Sequence, residues 1–247
     1  MSGMLSQLTK KNYAKNSFEM NNENHVIKND IPFFRNTLLK WFKENGRRYP
    51  WRHEKDHYRI LVAEMMLQRT RVEQVLPVYN EFIKKFPNVR TLSEAKIEDI
   101  AVFVAKLGLF WRSKMMKQTA RNILIEHKGT IPSERKALLK IPGIGDYIAD
   151  AMISFAFNGK RTVIDSNVIR LTTRFFGIES KGEMRRNRNF IDFCQSISAD
   201  LKPEEIRNLN WALIDHSAAV CKPVPLCDQC PLSKSCHYFK GRRLIDK

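Results

Sequence analysis

The sequence predicts an all-α fold. Apolar residues recur at helical spacing through most of the chain, and the two-residue alternation typical of strands is nearly absent. Short breaks that contain Gly or Pro separate the periodic segments. With 247 residues and 43% hydrophobic content, the chain is long enough to bury a sizeable core. We therefore expect a set of helices joined by short loops.

The predicted elements follow one another along the chain. Residues 1 to about 28 are rich in Asn and Lys and lack apolar periodicity, so we expect a mobile polar arm, with folding starting near Ile31. A first helix ends at Asn45-Gly46. Further helices are predicted at residues 58–75, 76–86, 96–107, 112–127, 134–140, 147–157, 165–178, 184–200 and 203–219. A cysteine-rich loop follows them.

The charge of the chain favours a polyanionic partner. There are 43 Lys and Arg against 26 Asp and Glu, which gives a formal net charge of +17. Such a surface field attracts nucleic acid, although a merely solvated basic surface remains an alternative. No apolar run approaches the roughly 20 residues of a membrane span, and the first thirty residues lack an apolar signal core. We expect a cytoplasmic protein that contacts no membrane and associates with the nucleoid if prokaryotic.

Four of the five cysteines lie close together near the end of the sequence. Cys221, Cys227, Cys230 and Cys236 are spaced C-x5-C-x2-C-x5-C. In a cytosolic chain this clustering indicates a metal centre over disulfides, and four thiolates suit either zinc or an iron–sulfur cluster. Zinc ribbons use two C-x2-C pairs, whereas this chain has one, so the spacing favours a cluster. Cys194 stands apart, and we expect it to be a small buried hydrophobic residue.

A glycine turn lies between two predicted helices. Gly143 and Gly145 can adopt backbone conformations denied to other residues, and the turn leads directly into a helix start that attracts anions. This pattern predicts a phosphate-binding turn. A helix hairpin that uses Pro and Gly only to reverse the chain is the alternative.

The sequence resembles the helix-hairpin-helix DNA glycosylases related to endonuclease III. The resemblance covers roughly residues 31 to 240 and rests on the turn Ile141-Pro-Gly-Ile-Gly145, on Asp165 downstream and on the four cysteines, whose first gap is one residue shorter than in the family. Supporting segments are Tyr49-Pro-Trp-Arg52, residues 63–70 and residues 106–112. Within the family the chain looks similar to the thymine-DNA glycosylases that act on G·T mismatches.

This resemblance implies two lobes with a DNA groove between them. A six-helix lobe at residues 55–160 would carry the hairpin. A second lobe would combine residues 29–54 with residues 161–240 and hold a [4Fe-4S] cluster on the four cysteines, with a basic tail at 241–247. The partner would be double-stranded DNA that contains a mismatched or damaged base, and we expect the protein to act on it as a monomer.

The resemblance also implies a catalytic set. Asp165 would stabilise positive charge on the deoxyribose or align a water molecule, although an Asp before Ser166 also reads as a helix cap. Tyr147 occupies the position where bifunctional members carry a Schiff-base lysine, so water should be the nucleophile. An aromatic residue packing at a helix start is the alternative reading of Tyr147.

Glu64 completes the implied catalytic set. It lies in an otherwise apolar helix, where an unpaired carboxylate is costly, so a role in contacting the extruded base is predicted. The alternative is an ion pair with Arg59 or Arg71.

Several residues are implied to contact DNA. Gln68 and Arg69 would begin a loop that fills the gap left by the flipped base, and Arg69 suits the acceptors of an orphaned guanine. Gly143, Gly145 and Asn167 would lie at the DNA interface as well. Without the resemblance, Gln68 and Arg69 would be read as ordinary polar helix surface.

The expected function is that of a monofunctional DNA glycosylase that removes thymine or uracil opposite guanine during base excision repair. Arg69 in place of a glutamine, residues 215–221 and 233–238, and the few residues after Cys236 favour this substrate over adenine. A MutY-like adenine glycosylase acting on A opposite G or oxidised guanine is the alternative. A non-catalytic DNA-binding module and a bifunctional lyase on oxidised pyrimidines are further ones.

Overall fold

The computed structural model describes residues 24–108 and 110–245. Within these residues the chain is helical and has no β-strand, as predicted. The twelve α-helices of the described part are α1 Asn24–Asn45, α2 His57–Leu67, α3 Val72–Lys85, α4 Val89–Glu94, α5 Ile97–Ala105, α6 Trp111–Glu126, α7 Arg135–Leu138, α8 Asp146–Ala151, α9 Ser166–Phe176, α10 Arg188–Ser196, α11 Pro203–Ala219 and α12 His237–Ile245. A π-helical turn, Met152–Ala156, extends α8. None of the described helices combines the length and hydropathy needed to cross a membrane.

Helices α2 to α8 bury one hydrophobic cluster. Helices α4 and α5 pack against α6, and α2 packs against α3. The apolar stripe of α3 places Val75, Val78, Tyr79 and Phe82 in the interior at helical spacing. Each large side chain buried in this way contributes about 1.5–3 kcal/mol of transfer free energy.

A second hydrophobic cluster joins the first helix to the later part of the chain. Helix α1 packs against α11, and α9 packs against both α11 and α12. Phe34 in α1 contacts Phe175 in α9, with ring centroids 4.7 Å apart. The two clusters agree with the two-lobed fold that the resemblance implies.

The chain crosses between the clusters just before α9. Val163 belongs to the first cluster and Val168 to the second. Helix α11 also contacts both, because Ile214 packs against each of them. Asp165 therefore lies on the segment that joins the two cores.

The prediction of one helix over residues 58–75 is wrong. Helix α2 ends at Leu67 and α3 begins at Val72, with Gln68 in an extended conformation at the end of α2 and Arg69 at a positive φ of 57°. The intervening residues include neither Gly nor Pro. At this break the Arg112 side chain, from a distant part of the chain, donates to the Met65, Met66 and Gln68 carbonyls.

Other boundaries differ from the predictions. Helix α1 begins at Asn24, before the expected start near Ile31, while residues 1–23 of the expected arm lie outside the described residues. Helices α4 and α12 were not predicted; α4 is a single short segment that Asn88 caps through Thr91. Residues 184–200 form a 3₁₀ turn followed by α10 in place of one helix. Short segments of this kind carry too few periodic residues for pattern analysis.

Candidate functional site

Glu64 is a buried carboxyl group on α2. The residue is 4% exposed, and within the described structure its Oε2 atom has no hydrogen-bond partner. Burial raises the pKa of Glu64 to about 7, against a lowering by the Tyr147 hydroxyl and by the charge of Arg52. The alternative pairing with Arg59 is wrong, because Arg59 binds Glu54 at 3.1 Å. Glu64 is thus available to a ligand in both protonation states near neutral pH.

Tyr147 and Asp165 lie close to Glu64. The three groups influence one another electrostatically, and burial with the two nearby carboxyls raises the pKa of Tyr147 well above its usual value of 10. The Tyr147 hydroxyl therefore stays neutral and donates toward Glu64. Glu64 and Tyr147 come from the first cluster, whereas Asp165 stands where the chain enters the second. Tertiary structure brings together three residues that are far apart in the sequence.

Asp165 caps α9, as its alternative reading predicted. Its Oδ1 accepts from the Val168 N–H at 2.7 Å, and its Oδ2 accepts from Asn167 Nδ2 at 2.9 Å. Each carboxylate oxygen retains a further lone pair. The cap therefore holds the carboxylate in one orientation and leaves it able to accept from a ligand.

A hydrogen-bonded chain links Asp165 to the cysteine-rich loop. Asn167 Oδ1 accepts from Arg170 Nη2 at 3.0 Å, and Arg170 in turn donates to the carbonyls of Cys221 and Ser217, at 2.8 and 3.0 Å. The sequence analysis did not identify Arg170. Its position three residues after Asn167 on a helix was the available signal.

A second ionic group missed by the sequence analysis lies beside the site. Asp215 is fully buried (0% exposed), and its carboxylate accepts from Arg47 and bidentately from Arg52, at 2.7–2.8 Å. These charge-assisted bonds lower the pKa of Asp215 against the opposing effect of burial. Arg52 and Asp215 fall inside segments that carried the resemblance, yet only the structure shows that they pair.

The hairpin glycines differ from each other. Gly143 has a φ of +87°, and a Cβ there would lie 2.8 Å from Met115 and Thr119 side-chain atoms, so glycine is required. Gly145 is extended, with φ −95° and ψ −177°, which corrects the expectation that it needs a glycine-only conformation. Nothing lies within 4 Å of its Cβ position. The backbone at Gly145 is thus open to approach from outside.

Gln68 and Arg69 lie in the loop between α2 and α3. Arg69 is exposed, and its left-handed backbone turns the chain away from the helix axis. This loop begins one turn after Glu64 on the same helix. Any movement of the carboxyl end of α2 would therefore displace both the loop and Glu64.

All four clustered cysteines line one cavity. The space between α9, α12 and the cysteine-rich loop includes Cys221, Cys227, Cys230 and Cys236 in its wall. None of the four forms a disulfide. In the described part of the chain, no group of three or more His, Cys, Asp or Glu converges on a single metal ion. Cys194 is buried in the second cluster, as predicted.

Related proteins include glycosylases with two different substrates. The chain is 32% identical over 221 residues to a thymine/uracil-DNA glycosylase of Pyrobaculum aerophilum, and the match covers 87% of this chain and 96% of the relative. It is also 33% identical over 216 residues to an adenine DNA glycosylase of Buchnera aphidicola, covering 86% of this chain and 60% of that longer protein.

Solved structures share the fold. The structure of a thermostable thymine-DNA glycosylase superposes with a TM-score of 0.82 at 29% identity, covering 87% of this chain and 99% of the other. An endonuclease III–DNA complex superposes with a TM-score of 0.75 at 19% identity, covering 88% of this chain and 98% of the other, a likeness of fold alone. Residues 62–196 match the family described as HhH-GPD superfamily base excision DNA repair protein, so the chain belongs to the HhH-GPD superfamily.

Proposed function

We propose that the protein, a base excision DNA glycosylase by family, hydrolyses the N-glycosidic bond of thymine or uracil mispaired with guanine and leaves an abasic site. The observation that carries the proposal is the buried Glu64 carboxyl with its unpaired oxygen, beside the Tyr147 hydroxyl and the Asp165 carboxylate. The thymine/uracil-DNA glycosylases among the relatives support this choice of base.

Asp165 acts on the sugar. Cleavage of the base–sugar bond builds positive charge on the deoxyribose, and a carboxylate fixed in place stabilises that charge without reorganising. The bonds from Val168 N–H and Asn167 Nδ2 provide this fixed orientation. The same carboxylate aligns the attacking water.

Glu64 acts on the departing base. With a pKa of about 7, a large fraction of the carboxyl is protonated at neutral pH and can donate to a base oxygen that gains negative charge. Tyr147 keeps this pKa from rising further through its hydroxyl. A phenol at position 147 offers no amine for a Schiff base, which supports hydrolysis without strand cleavage.

Double-stranded DNA is the proposed partner, bound by a monomer. The net charge of +17 provides long-range attraction. Gly145 exposes backbone at the start of α8 to a phosphate, with Gly143 shaping the turn. Gln68 and Arg69 enter the gap left by the extruded base, and Asn167 lies at the edge of the same groove. Extrusion costs a few kcal/mol and least for a mispaired base, which favours mismatches.

The four cysteines are proposed to hold a [4Fe-4S] cluster. Their shared cavity and the absence of disulfides among them fit this group. Four thiolates fill its coordination, so the cluster would supply a structural clamp for the cysteine-rich loop. Its contribution reaches Asp165 only through protein groups, namely Arg170 and Asn167.

Adenine removal opposite guanine or oxidised guanine is the second candidate. The adenine DNA glycosylases among the relatives favour it, with up to 33% identity, although the chain spans 60% of that relative's length. Glu64, Tyr147 and Asp165 could serve either base. Which base the protein removes is therefore a question for the following experiment.

Single-turnover base release from duplexes with T·G, U·G, A·G and A opposite oxidised guanine tests the proposal, with alkali added afterwards to reveal abasic sites. We expect release from T·G and U·G at comparable rates, because one methyl group contributes little to discrimination. Asp165→Asn should abolish release while duplex binding persists. Release of adenine alone would establish the second candidate, and equal behaviour of the two proteins would establish a non-catalytic binding module.

A further inference from the structure

Arg112 is a buried cation that no described carboxylate balances. The residue lies in the first turn of α6 and is 3% exposed. Its guanidinium donates to the backbone carbonyls of Met65 at 3.0 Å and Met66 at 3.1 Å, and to that of Gln68. Burial lowers the pKa of Arg112 to about 10, so it remains positive at neutral pH. Burial of a charge without a carboxylate partner lowers the free energy of unfolding, so we expect a buried arginine here to have a role that offsets this cost.

The three acceptors form the carboxyl end of α2. The last carbonyls of a helix lack partners within it and carry partial negative charge. Many helices end on a glycine that satisfies these groups locally, but α2 is followed by Gln68 and Arg69. The Thr70 N–H reaches only the Leu67 carbonyl, at 3.3 Å. Arg112, which belongs to α6, therefore supplies hydrogen-bond donors to the carbonyls at the end of α2.

The same contact shapes the Gln68–Arg69 loop. Arg69 adopts a left-handed conformation that is unfavourable for a side chain with a Cβ, so surrounding contacts must impose it. The positive charge of Arg112 repels Arg69, whose side chain is exposed. The Arg112 guanidinium also lies over the Trp111 ring, with 5.5 Å between the guanidinium carbon and the ring centroid.

An exposed aromatic pair lies beside Arg112. Phe110 is 68% exposed and Trp111 is 56% exposed, both directly before Arg112 in the chain. Large apolar side chains left in water on a monomeric protein commonly mark a contact surface. Arg112 thus joins three features, which are the end of the Glu64 helix, the polar loop and the aromatic pair.

We propose that Arg112 is a positioning residue for base extrusion, which holds Gln68 and Arg69 in the conformation that fills the gap in the duplex. This inference rests on the proposed function. Arg112 acts through the loop and touches no reacting atom. Its loss should slow extrusion from a paired duplex and leave bond cleavage nearly unchanged once the base is out of the stack.

The test compares two substrates for each protein. One duplex carries the target thymine opposite guanine, and the other carries it opposite an abasic site, where no base must be unpaired and no orphan must be contacted. Arg112→Met keeps an apolar stem but cannot donate to the carbonyls. We expect its single-turnover rate on T·G to fall about 30-fold or more, with a change under about threefold on the second duplex.

Controls separate positioning from general stability. Arg121→Met removes an exposed charge from the same helix and should leave both rates unchanged. Arg112→Lys keeps the charge but reaches fewer carbonyls, so it should be intermediate; it also serves if the Met variant does not fold. Hydrogen exchange should rise at residues 67–72 in both Arg112 variants and stay constant in the hairpin.

Two results would contradict the positioning role of Arg112. Equal rate losses on both duplexes would show that Arg112 only supports the Glu64 helix. Unchanged rates on both would show that the loop does not need it. Failure of the unmodified protein to release thymine from either duplex would instead refute the proposed function.

Discussion

Asn167 donates a 2.9 Å hydrogen bond to Asp165 Oδ2 and accepts one from Arg170 at 3.0 Å. The amide thereby fixes the Asp165 carboxylate relative to a guanidinium that is itself bound to the Cys221 and Ser217 carbonyls. The side-chain nitrogen and the side-chain oxygen of Asn167 both form hydrogen bonds, so the orientation of this amide is determined. A substitution at position 167 should therefore change the orientation of the Asp165 carboxylate.

Asn167→Leu should slow base release without unfolding the protein. Asp165 keeps its bond from Val168 N–H but loses the second donor, so its carboxylate can rotate out of position. We expect a fall of about 10- to 100-fold in the single-turnover rate, measured with enzyme in excess over a saturated duplex so that any change in affinity does not contribute. An unchanged rate would mean that the cap alone orients Asp165. Asn189→Leu, on the exposed face of α10, is a matched control.

The pH dependence of base release should report Glu64. If the protonated carboxyl donates to the base, the single-turnover rate falls as pH rises through about 7. Tyr147→Phe removes a hydroxyl that lowers this pKa, so the falling limb should move to higher pH. Glu64→Gln should remove the limb. A limb that stays in place in Glu64→Gln would assign the titration to another group.

Glu64 should also make stability depend on pH. Its pKa is raised on folding, from 4.5 to about 7, so the native state binds the extra proton and is destabilised as pH rises through that interval. Glu64→Gln should therefore unfold at a higher temperature than the unmodified protein at about pH 8, where the difference approaches 3 kcal/mol, and similarly to it at about pH 4. Equal differences at both pH values would contradict the raised pKa.

The residue at position 147 should decide whether the sugar is trapped covalently. The unmodified protein should give no borohydride-stable complex with a substrate duplex, because a phenol cannot form a Schiff base. Tyr147→Lys places an amine beside Glu64 and Asp165 and should yield such a complex. Trapping by the unmodified protein would reveal another amine nucleophile and favour the bifunctional lyase.

The two hairpin glycines should respond differently to alanine. Gly143→Ala meets both a positive φ and the side chains of Met115 and Thr119, so it should lower the free energy of unfolding by about 2 kcal/mol or more. Gly145→Ala has room for its Cβ and should fold normally. Its methyl group would obstruct a phosphate, so duplex affinity should fall severalfold. Equal affinity for Gly145→Ala and the unmodified protein would place the phosphate elsewhere.

Metal content should distinguish the two centres that four cysteines can hold. A brown protein with a broad visible absorption shoulder and about four irons per chain would establish the cluster. A colourless protein with one zinc would overturn it. Loss of the group should reduce base release through the Arg170 and Asn167 chain, and Cys194→Ala should leave metal content unchanged.

The sequence determined the helical fold class and indicated which residues are proposed to act in catalysis. Helical spacing of apolar residues is clear in α3 and α9 because each buries a stripe of mainly apolar side chains on one side. The glycine turn, Asp165 and the cysteines were recognisable because they match, in residue type and order, the family that the sequence resembles. Glu64 stood out as a carboxyl in an apolar run.

Tertiary structure decided how those groups are held. The end of α2 at Leu67 has neither Gly nor Pro after it, and its carbonyls accept from Arg112, which lies more than forty residues later in the chain. The pairing of Asp215 with Arg52, and the link from Asp165 through Asn167 to the Cys221 carbonyl, likewise join distant residues. Periodicity reports only which side of a helix is buried, whereas the partner of a buried charge is selected by the packing of other helices against it.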